Sequence, residues 1–585
     1  MIYFGKRVYA VILFIAAYAA FPFMVEGKDS GKYKYPSQEK IDRQVDSVFR
    51  KLSTREKIAQ IMVIDFTSAD SEKMQKIQKR LVKKEKIGGI IPLGEKSYSG
   101  AIARMNQLNK WAKIPMLVTL DAEWGAGMRW NEVLSYPHFM QLGALSSDSL
   151  IYVMGKSIAA ECRALKIQVN YSPVVDINNN PHKFIVNFRT FGEDKEKVAK
   201  YASVMMKGMR DGGVAGSAKH FPGHGETNVD SHLALPLLPF SEERLDSLEL
   251  YPFKRLIADG VDMVMVGHMN VPAFDPSGTP SSISYPIVTG LLREKLGFEG
   301  IIITDALNMH GVSKDSGLEK KDIPLAAYKA GVDILLMPED VQESISVIEK
   351  ALRNGEITKE SLDMRVKKML ALKARLGVLD KGYDPIAHTD AINGLKEEKL
   401  ALINQICEET MTLVFNDNSQ GYGLPVSTAG KKVAYVGFRN PEVGAEFAAT
   451  ASNYGQLDTL LLGNDATLED LKAAKEKVKD YDLVIFGFNK TLQQVYRNFD
   501  LVEEQVQFIT DWAAQQPMIA VYLGSPYALT RMPDHKNFKA YVLGYNDTKA
   551  NARAAAKLVF GAIFPKGVLP VTAGPFPVGH SVCTF

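Results

Sequence analysis

Cysteine is scarce in this chain: Cys162, Cys407 and Cys583 are the only three among 585 residues. An odd and widely spaced set supplies neither a disulfide framework nor a thiolate zinc site. A dominant charge is missing too. Lysine and arginine number 70 against 67 aspartates and glutamates, and the net charge of +3 has its signs interspersed, so no broad basic field is present to attract nucleic acid. A small or neutral ligand is expected instead. No short-period repeat or low-complexity tract occurs, which excludes a solenoid and a collagenous or prion-like chain. Histidine is sparse as well, with ten in all, yet three of them fall between residues 219 and 232.

That segment reads KHFPGHGETNVDSH. It is too poor in apolar side chains to be a core element, and Pro222, Gly223 and Gly225 break it into turns. Histidine ionises near neutrality, so His220, His224 and His232 beside Lys219 and Asp230 make a dense candidate catalytic loop. Hydrophobic residues make up 46% of the chain, enough for more than one core. At the N-terminus, Lys6 and Arg7 precede an apolar run from Val8 to Ala20 with small residues at Ala17 and Ala19. This is the pattern of a signal peptide, assigned to residues 1–27, with a retained anchor as the alternative. An exported chain, periplasmic or held at the cell envelope, is the expectation.

Between residues 58 and 338, short β-branched runs such as VDMVMVGH and GIIITDAL alternate with amphipathic stretches. Eight strands are predicted: Ile58–Phe66, Ile87–Gly94, Pro115–Asp121, Ile167–Asp176, Val214–His220, Val261–His268, Gly300–Asp305 and Val332–Met337. Continuous apolar runs fit strands buried on both faces, so the expected fold class is α/β, a (β/α)8 TIM barrel followed by a smaller α/β sandwich domain. In such a barrel the site lies at the carboxyl ends of the strands. Those ends carry Asp121, Asp176, Lys219, His220, His268 and Asp305. A helical region over Asp340–Gly377 closes the barrel, and new strands are predicted at Val433–Phe438, Leu483–Phe488, Ile519–Leu523 and Tyr541–Gly544. The resulting division is a catalytic domain at 38–380, a linker at 381–399 and a C-terminal sandwich at 400–585.

The segment KHFPGHGETNVDSHLALP resembles the signature loop of the β-N-acetylglucosaminidase branch of glycoside hydrolase family 3, in its two-domain form. The motifs IGGIIPLG, IPMLVTLDAEWG, NYSPVVDINNNP, NFRTFGED, GVDMVMVGHMNVP and GFEGIIITDALNM follow in the family's order. The resemblance implies an exo-acting, retaining enzyme that forms a covalent glycosyl-enzyme on Asp305, with Asp230 and His232 as the acid/base pair. It also implies that Asp121, Arg189, Lys219 and His220 bind the terminal sugar, and His268 is placed at the same pocket. The substrates implied are GlcNAc-containing oligosaccharides or muropeptides, with no cofactor, no metal and no obligatory protein partner. One departure stands out. Where single-domain members carry DQEGGRV, this chain has DAEWGAGMR, so Trp124 replaces a glycine and either narrows the pocket, stacks on a sugar or packs within its loop.

Four other readings remain open at this level. A β-glucosidase or β-xylosidase of the same family is disfavoured by the intact GHG…DSH loop. A metal-dependent barrel hydrolase using His220, His224, His232 and Asp305 lacks a helical HExxH pattern. A noncatalytic envelope carbohydrate-binding protein would have no need of Asp305 and His232 together. A phosphorolytic enzyme would also profit from a histidine acid, which avoids setting a second carboxylate against phosphate. For Arg189, the alternative role is an ion pair with Glu193 or Asp194.

Overall fold

The computed structural model describes residues 32–67, 72–181, 186–225, 227, 234–490 and 499–585. Two compact units divide the chain, Met1–Lys34 and Tyr35–Phe585, and both sheets lie in the second. The signal-peptide assignment falls outside the described residues. So do Asp230 and His232.

Eight parallel strands follow one another around the first sheet: β1 (Met62–Thr67), β2 (Gly89–Gly94), β3 (Leu117–Leu120), β4 (Val169–Asn170), β5 (Ala215–Phe221), β6 (Met263–Val266), β7 (Ile301–Thr304) and β8 (Leu335–Leu336). β8 pairs with β1, and a parallel bridge between Ile303 and Ile334 joins β7 to the β8 segment, so the sheet is a barrel. Strand alternation sorts the side chains. Val63, Ile91, Leu117, Val169, Ala215, Met263 and Ile301 fill the interior, while Met62, Ile64 and Phe66 pack outward against the helices. Fully burying each large apolar side chain contributes about 1.5–3 kcal/mol, and the barrel wall repeats that gain on both faces.

The first expected strand begins too early. Ser53 and Glu56 form a reciprocal capping box, which draws Thr54–Gln60 into a helix and leaves the strand to start at Met62. The fourth is shorter than predicted, since the chain leaves the ladder after Asn170. The closing helical region is a pair, Val341–Arg353 and Lys359–Arg375, interrupted at Asn354 and Gly355, where Gly355 takes a φ of +73°.

A second sheet has the order β11-β10-β12-β13-β14-β9. It comprises β9 (Thr412–Asn416), β10 (Val433–Phe438), β11 (Asp458–Leu461), β12 (Leu483–Phe488), β13 (Met518–Tyr522) and β14 (Ala540–Leu543). All pairs are parallel except β14 with β9. The helices Pro441–Ala451 and Glu503–Gln515 connect strands of this sheet, and Lys549–Val559 follows its last strand. The core of this half gathers Val436, Phe486, Trp512, Tyr522 and Tyr541, and it also takes in Met140 and Ala144 from the barrel half. The helix Lys396–Thr410 leads into β9, so residues 396–399, expected in a linker, are already helical.

Candidate active site

The carboxyl ends of the barrel strands bring a charged network together. Lys219, at the end of β5, is 1% exposed and binds two carboxylates at once: Asp121 Oδ1 at 2.7 Å and Glu123 Oε1 at 2.8 Å. Arg189 closes on the same Glu123, Nη2 to Oε1 at 2.6 Å and Nε to Oε2 at 3.0 Å. Arg129 holds Asp121 Oδ2 at 2.7 Å and the Asp121 carbonyl at 2.9 Å. Paired in this way, the buried charges are compensated. Burial pushes the Glu123 carboxyl up, but Arg189 and Lys219 outweigh it and hold the group well below the usual carboxylate range. Asp121 is lowered on the same balance, burial being overcome by Lys219 and Arg129.

Asp305 follows β7, and its backbone N–H donates to the Val266 carbonyl at 2.8 Å. Its Oδ1 accepts the Ala306 N–H at 2.8 Å. Burial opposes ionisation of Asp305, yet His220, His268, the Ala306 N–H and Lys219 together hold its pKa at about 2. The group is a carboxylate at any physiological pH.

Hydrogen bonds fix the orientation of three histidines. His220 Nδ1 faces Asp176 Oδ2 at 2.8 Å, and the acceptor-only carboxylate makes Nδ1 the donor. The same Asp176 accepts the backbone N–H of His224 at 2.7 Å and that of His220 at 3.3 Å through Oδ1. His224 Nδ1 bonds to the Thr227 hydroxyl, which itself donates to the His224 carbonyl at 2.9 Å, so Nδ1 carries the proton. Burial, then the neighbouring His220, pulls the His224 pKa down to about 4. His268 Nε2 lies 2.9 Å from the Ala306 carbonyl and must donate to it; Nδ1 lies 2.7 Å from the Ser282 hydroxyl.

Two glycines let the loop after β5 turn. Gly223 has a φ of +129°, and a Cβ on Gly225 would fall 1.9 Å from the Ile177 carbonyl oxygen. Thus Asp121, Lys219, His220 and Asp305 converge on one mouth from their strand ends, and Arg189 joins them from a short turn in the loop after β4. His268 is placed differently. Both of its ring nitrogens are engaged within the protein, one of them on the backbone beside Asp305. Arg189 pairs with neither Glu193 nor Asp194 among the described contacts: Glu193 binds Thr572, and Asp194 caps the helix Lys195–Asp211. Trp124 packs against side chains outside its own loop, edge-on to His138 at 4.6 Å between centroids and 5.8 Å from Phe188 of the loop after β4. Sequence reasoning gave no role to Glu123, Arg129 or Asp176. Asp176 carried the same signal as its neighbours, a carboxylate at a strand end, and lacked only a visible partner. Among the described residues no group of three or more histidines, cysteines or carboxylates is arranged to hold a metal ion.

A parallel barrel with ionised and hydrogen-bonding groups gathered at its carboxyl face has the architecture of a barrel enzyme with its site at that face. The chain belongs to glycosyl hydrolase family 3: residues 53–372 match its N-terminal domain and residues 411–576 its C-terminal domain. A β-hexosaminidase A of Pseudoalteromonas piscicida is 31% identical over 329 residues, which cover 51% of this chain and 54% of that protein. A β-N-acetylglucosaminidase/β-glucosidase of Cellulomonas fimi is 30% identical over 379 residues, 63% of this chain and 66% of that protein. These matches therefore span about half to two thirds of the relatives' length. The structure of a family 3 β-N-acetylglucosaminidase from Paenibacillus sp. str. FPU-7 superposes with a TM-score of 0.74 at 29% identity, covering 90% of this chain and 99% of the other.

Proposed function

We propose that this protein is an exported, exo-acting, retaining β-N-acetylglucosaminidase that removes terminal GlcNAc from peptidoglycan fragments or chito-oligosaccharides. The observation that carries the reading is Asp305, an ionised carboxylate on a rigid strand end beside the network of Lys219, Asp121, Glu123 and Arg189. In this reading Asp305 attacks the anomeric carbon, and the bond to the leaving oxygen breaks as that oxygen takes a proton from His232. Water then attacks the glycosyl-enzyme, returning a proton to His232 and freeing Asp305. Asp230 orients and stabilises the imidazolium.

Asp121, Arg189, Lys219 and His220 hold the sugar hydroxyls: each side-chain oxygen of Asp121 retains acceptor capacity beyond its one cation. His268 holds the backbone next to the nucleophile. The relatives' printed names support the GlcNAc preference. The double name of the Cellulomonas fimi protein also favours a second reading, action on β-glucosides. Export rests on the N-terminal basic and apolar pattern alone.

Hydrolysis of matched aryl β-GlcNAc and β-glucoside substrates in phosphate-free buffer tests the proposal. Preference for GlcNAc supports it; preference for glucose replaces the specificity. Asp305→Ala should abolish turnover of even the activated aryl glycoside, and substantial residual activity would remove Asp305 as the nucleophile.

A further inference from the structure

Of the residues that hold the sugar in the proposed reading, Lys219 and His220 lie on β5, whereas Asp121 and Arg189 lie on two loops, 121–136 after β3 and the described parts of 176–193 after β4. Neither loop is held by the barrel alone. Lys399, on the helix that enters the second sheet, forms an ion pair with Glu161 at 2.6 Å, and both side chains are buried, 5% and 3% exposed. The other oxygen of Glu161 accepts the Ala126 N–H at 3.0 Å, inside the first loop. Lys399 also stands over the Tyr136 ring, 4.4 Å from its centroid, and the Tyr136 N–H donates to the Trp124 carbonyl at 3.1 Å. One cation of the second half thus fixes the turn between Glu123 and Arg129.

The second loop is held by a different part of that half. Tyr527, just beyond β13, is 1% exposed and directs its hydroxyl at Asn178, 3.1 Å from the carbonyl and 3.2 Å from Oδ1. Asn178 in turn ties the loop to itself: its N–H donates to the Gly192 carbonyl at 2.9 Å and its Nδ2 to the Asn187 carbonyl at 3.0 Å, on either side of Arg189. Further along, the Glu193 N–H donates to the Pro570 carbonyl at 3.1 Å, and its carboxylate accepts from the Thr572 N–H and hydroxyl at 2.8 and 2.7 Å. Other polar contacts between the halves, such as Gln141 with Thr410, Asn546 and Asn551, lie off these loops, so the contacts of Lys399 and Tyr527 are the ones that bear on Asp121 and Arg189.

We infer that the second half of the chain is a clamp on the sugar pocket, with Lys399 and Tyr527 as positioning residues that set the Asp121–Glu123 loop against the Asp176–Arg189 loop. The inference rests on the proposed role of these loops in sugar binding. Slack in either loop separates Arg189 or Asp121 from Lys219, which weakens the hold on the sugar and leaves Asp305 on its own strand. The signature is a rise in KM with kcat preserved.

Tyr527→Phe removes only the hydroxyl and leaves the packing in place. Its KM should rise about three- to tenfold, the scale of one lost hydrogen bond, with kcat within about twofold and a melting temperature lowered by no more than about 2–4 °C. The double variant Lys399→Met with Glu161→Gln removes both charges together and keeps an oxygen for the Ala126 N–H, so it avoids a lone buried charge. It should show the same KM rise on whichever aryl glycoside the wild-type enzyme hydrolyses. Amide exchange over residues 122–136 and 178–193 provides a readout independent of turnover, and protection should fall in the loop each variant addresses. Unchanged KM in both variants, or a fall in kcat with KM unmoved, overturns the clamp. A wild-type protein inert on every aryl β-glycoside sinks the proposed function instead, and exchange alone then decides the clamp, with unaltered protection refuting it.

Discussion

Replacing Asp176 by asparagine tests whether the carboxylate beneath the pocket sets the state of His220. The change is isosteric. The new amide would keep an oxygen for the His224 and His220 backbone N–H groups, now at 2.7 and 3.3 Å, but it would present an NH2 to the His220 ring nitrogen that now donates at 2.8 Å. Two donors cannot bond, so Nδ1 must give up its proton and Nε2 must take it. The tautomer of the neutral ring inverts, and in the proposed reading Nε2 would then meet the sugar as a donor in place of an acceptor. Losing a charge-assisted hydrogen bond in a buried site costs about 1.5–3 kcal/mol. At about 1.4 kcal/mol per factor of ten, kcat/KM should fall by roughly 10- to 100-fold. Steady-state kinetics on the aryl glycoside, with 15N chemical shifts of the ring to report the tautomer, would measure both effects. If Asp176→Asn stays within about threefold of wild type while the tautomer is inverted, His220 does not act through that nitrogen and the reasoning fails.

Two further outcomes are expected. His232→Ala should slow glycosides with poor leaving groups far more than activated aryl glycosides, and it should remove the alkaline limb of the kcat/KM profile; equal losses on both substrate types would argue against an acid role. Lys373, fully buried with Gln60 Oε1 at 3.0 Å, is drawn by burial from its ordinary 10.5 down to about 7. Because the unfolded chain holds that proton more tightly, the penalty on the folded state is full below pH 7 and fades as pH rises towards 10.5. The penalty is at most about 5 kcal/mol, less about 1–3 kcal/mol once Gln60 loses its donor, so Lys373→Met should melt higher than wild type at pH 6.5 and lose that advantage by pH 10. A difference in melting temperature that is independent of pH would contradict the assignment.

The barrel was legible because its strands are apolar on both faces and end in charge. VDMVMVGH and GIIITDAL carry that pattern without ambiguity, and β6 and β7 lie within the predicted spans. Edges were harder to see. β9 and β11 were missed, because the TLVFN run of β9 follows a helix without a turn signal and the DTLL strand of β11 is exposed or half-buried along its length. Within the site, side chains on strand ends could be named from sequence, whereas their pairing could not. Glu123 and Arg189 are 66 residues apart and Lys219 and Asp121 are 98 apart, so only the closed barrel shows that one lysine serves two carboxylates.

The placement of β9 has a consequence for how the chain is made. β9 precedes every other described strand of its sheet in sequence, yet among the described residues it pairs with β14 alone, the last of them. The barrel closes much earlier, when β8 joins β1. A nascent chain growing from the ribosome therefore completes its barrel while β9 still waits for a partner, and Tyr527, Pro570 and Thr572 reach the pocket loops only near the end of synthesis. Asp305 is in place from the moment the barrel forms; on the proposed reading the grip on the sugar comes last, so translation itself would delay full competence until the final strands emerge.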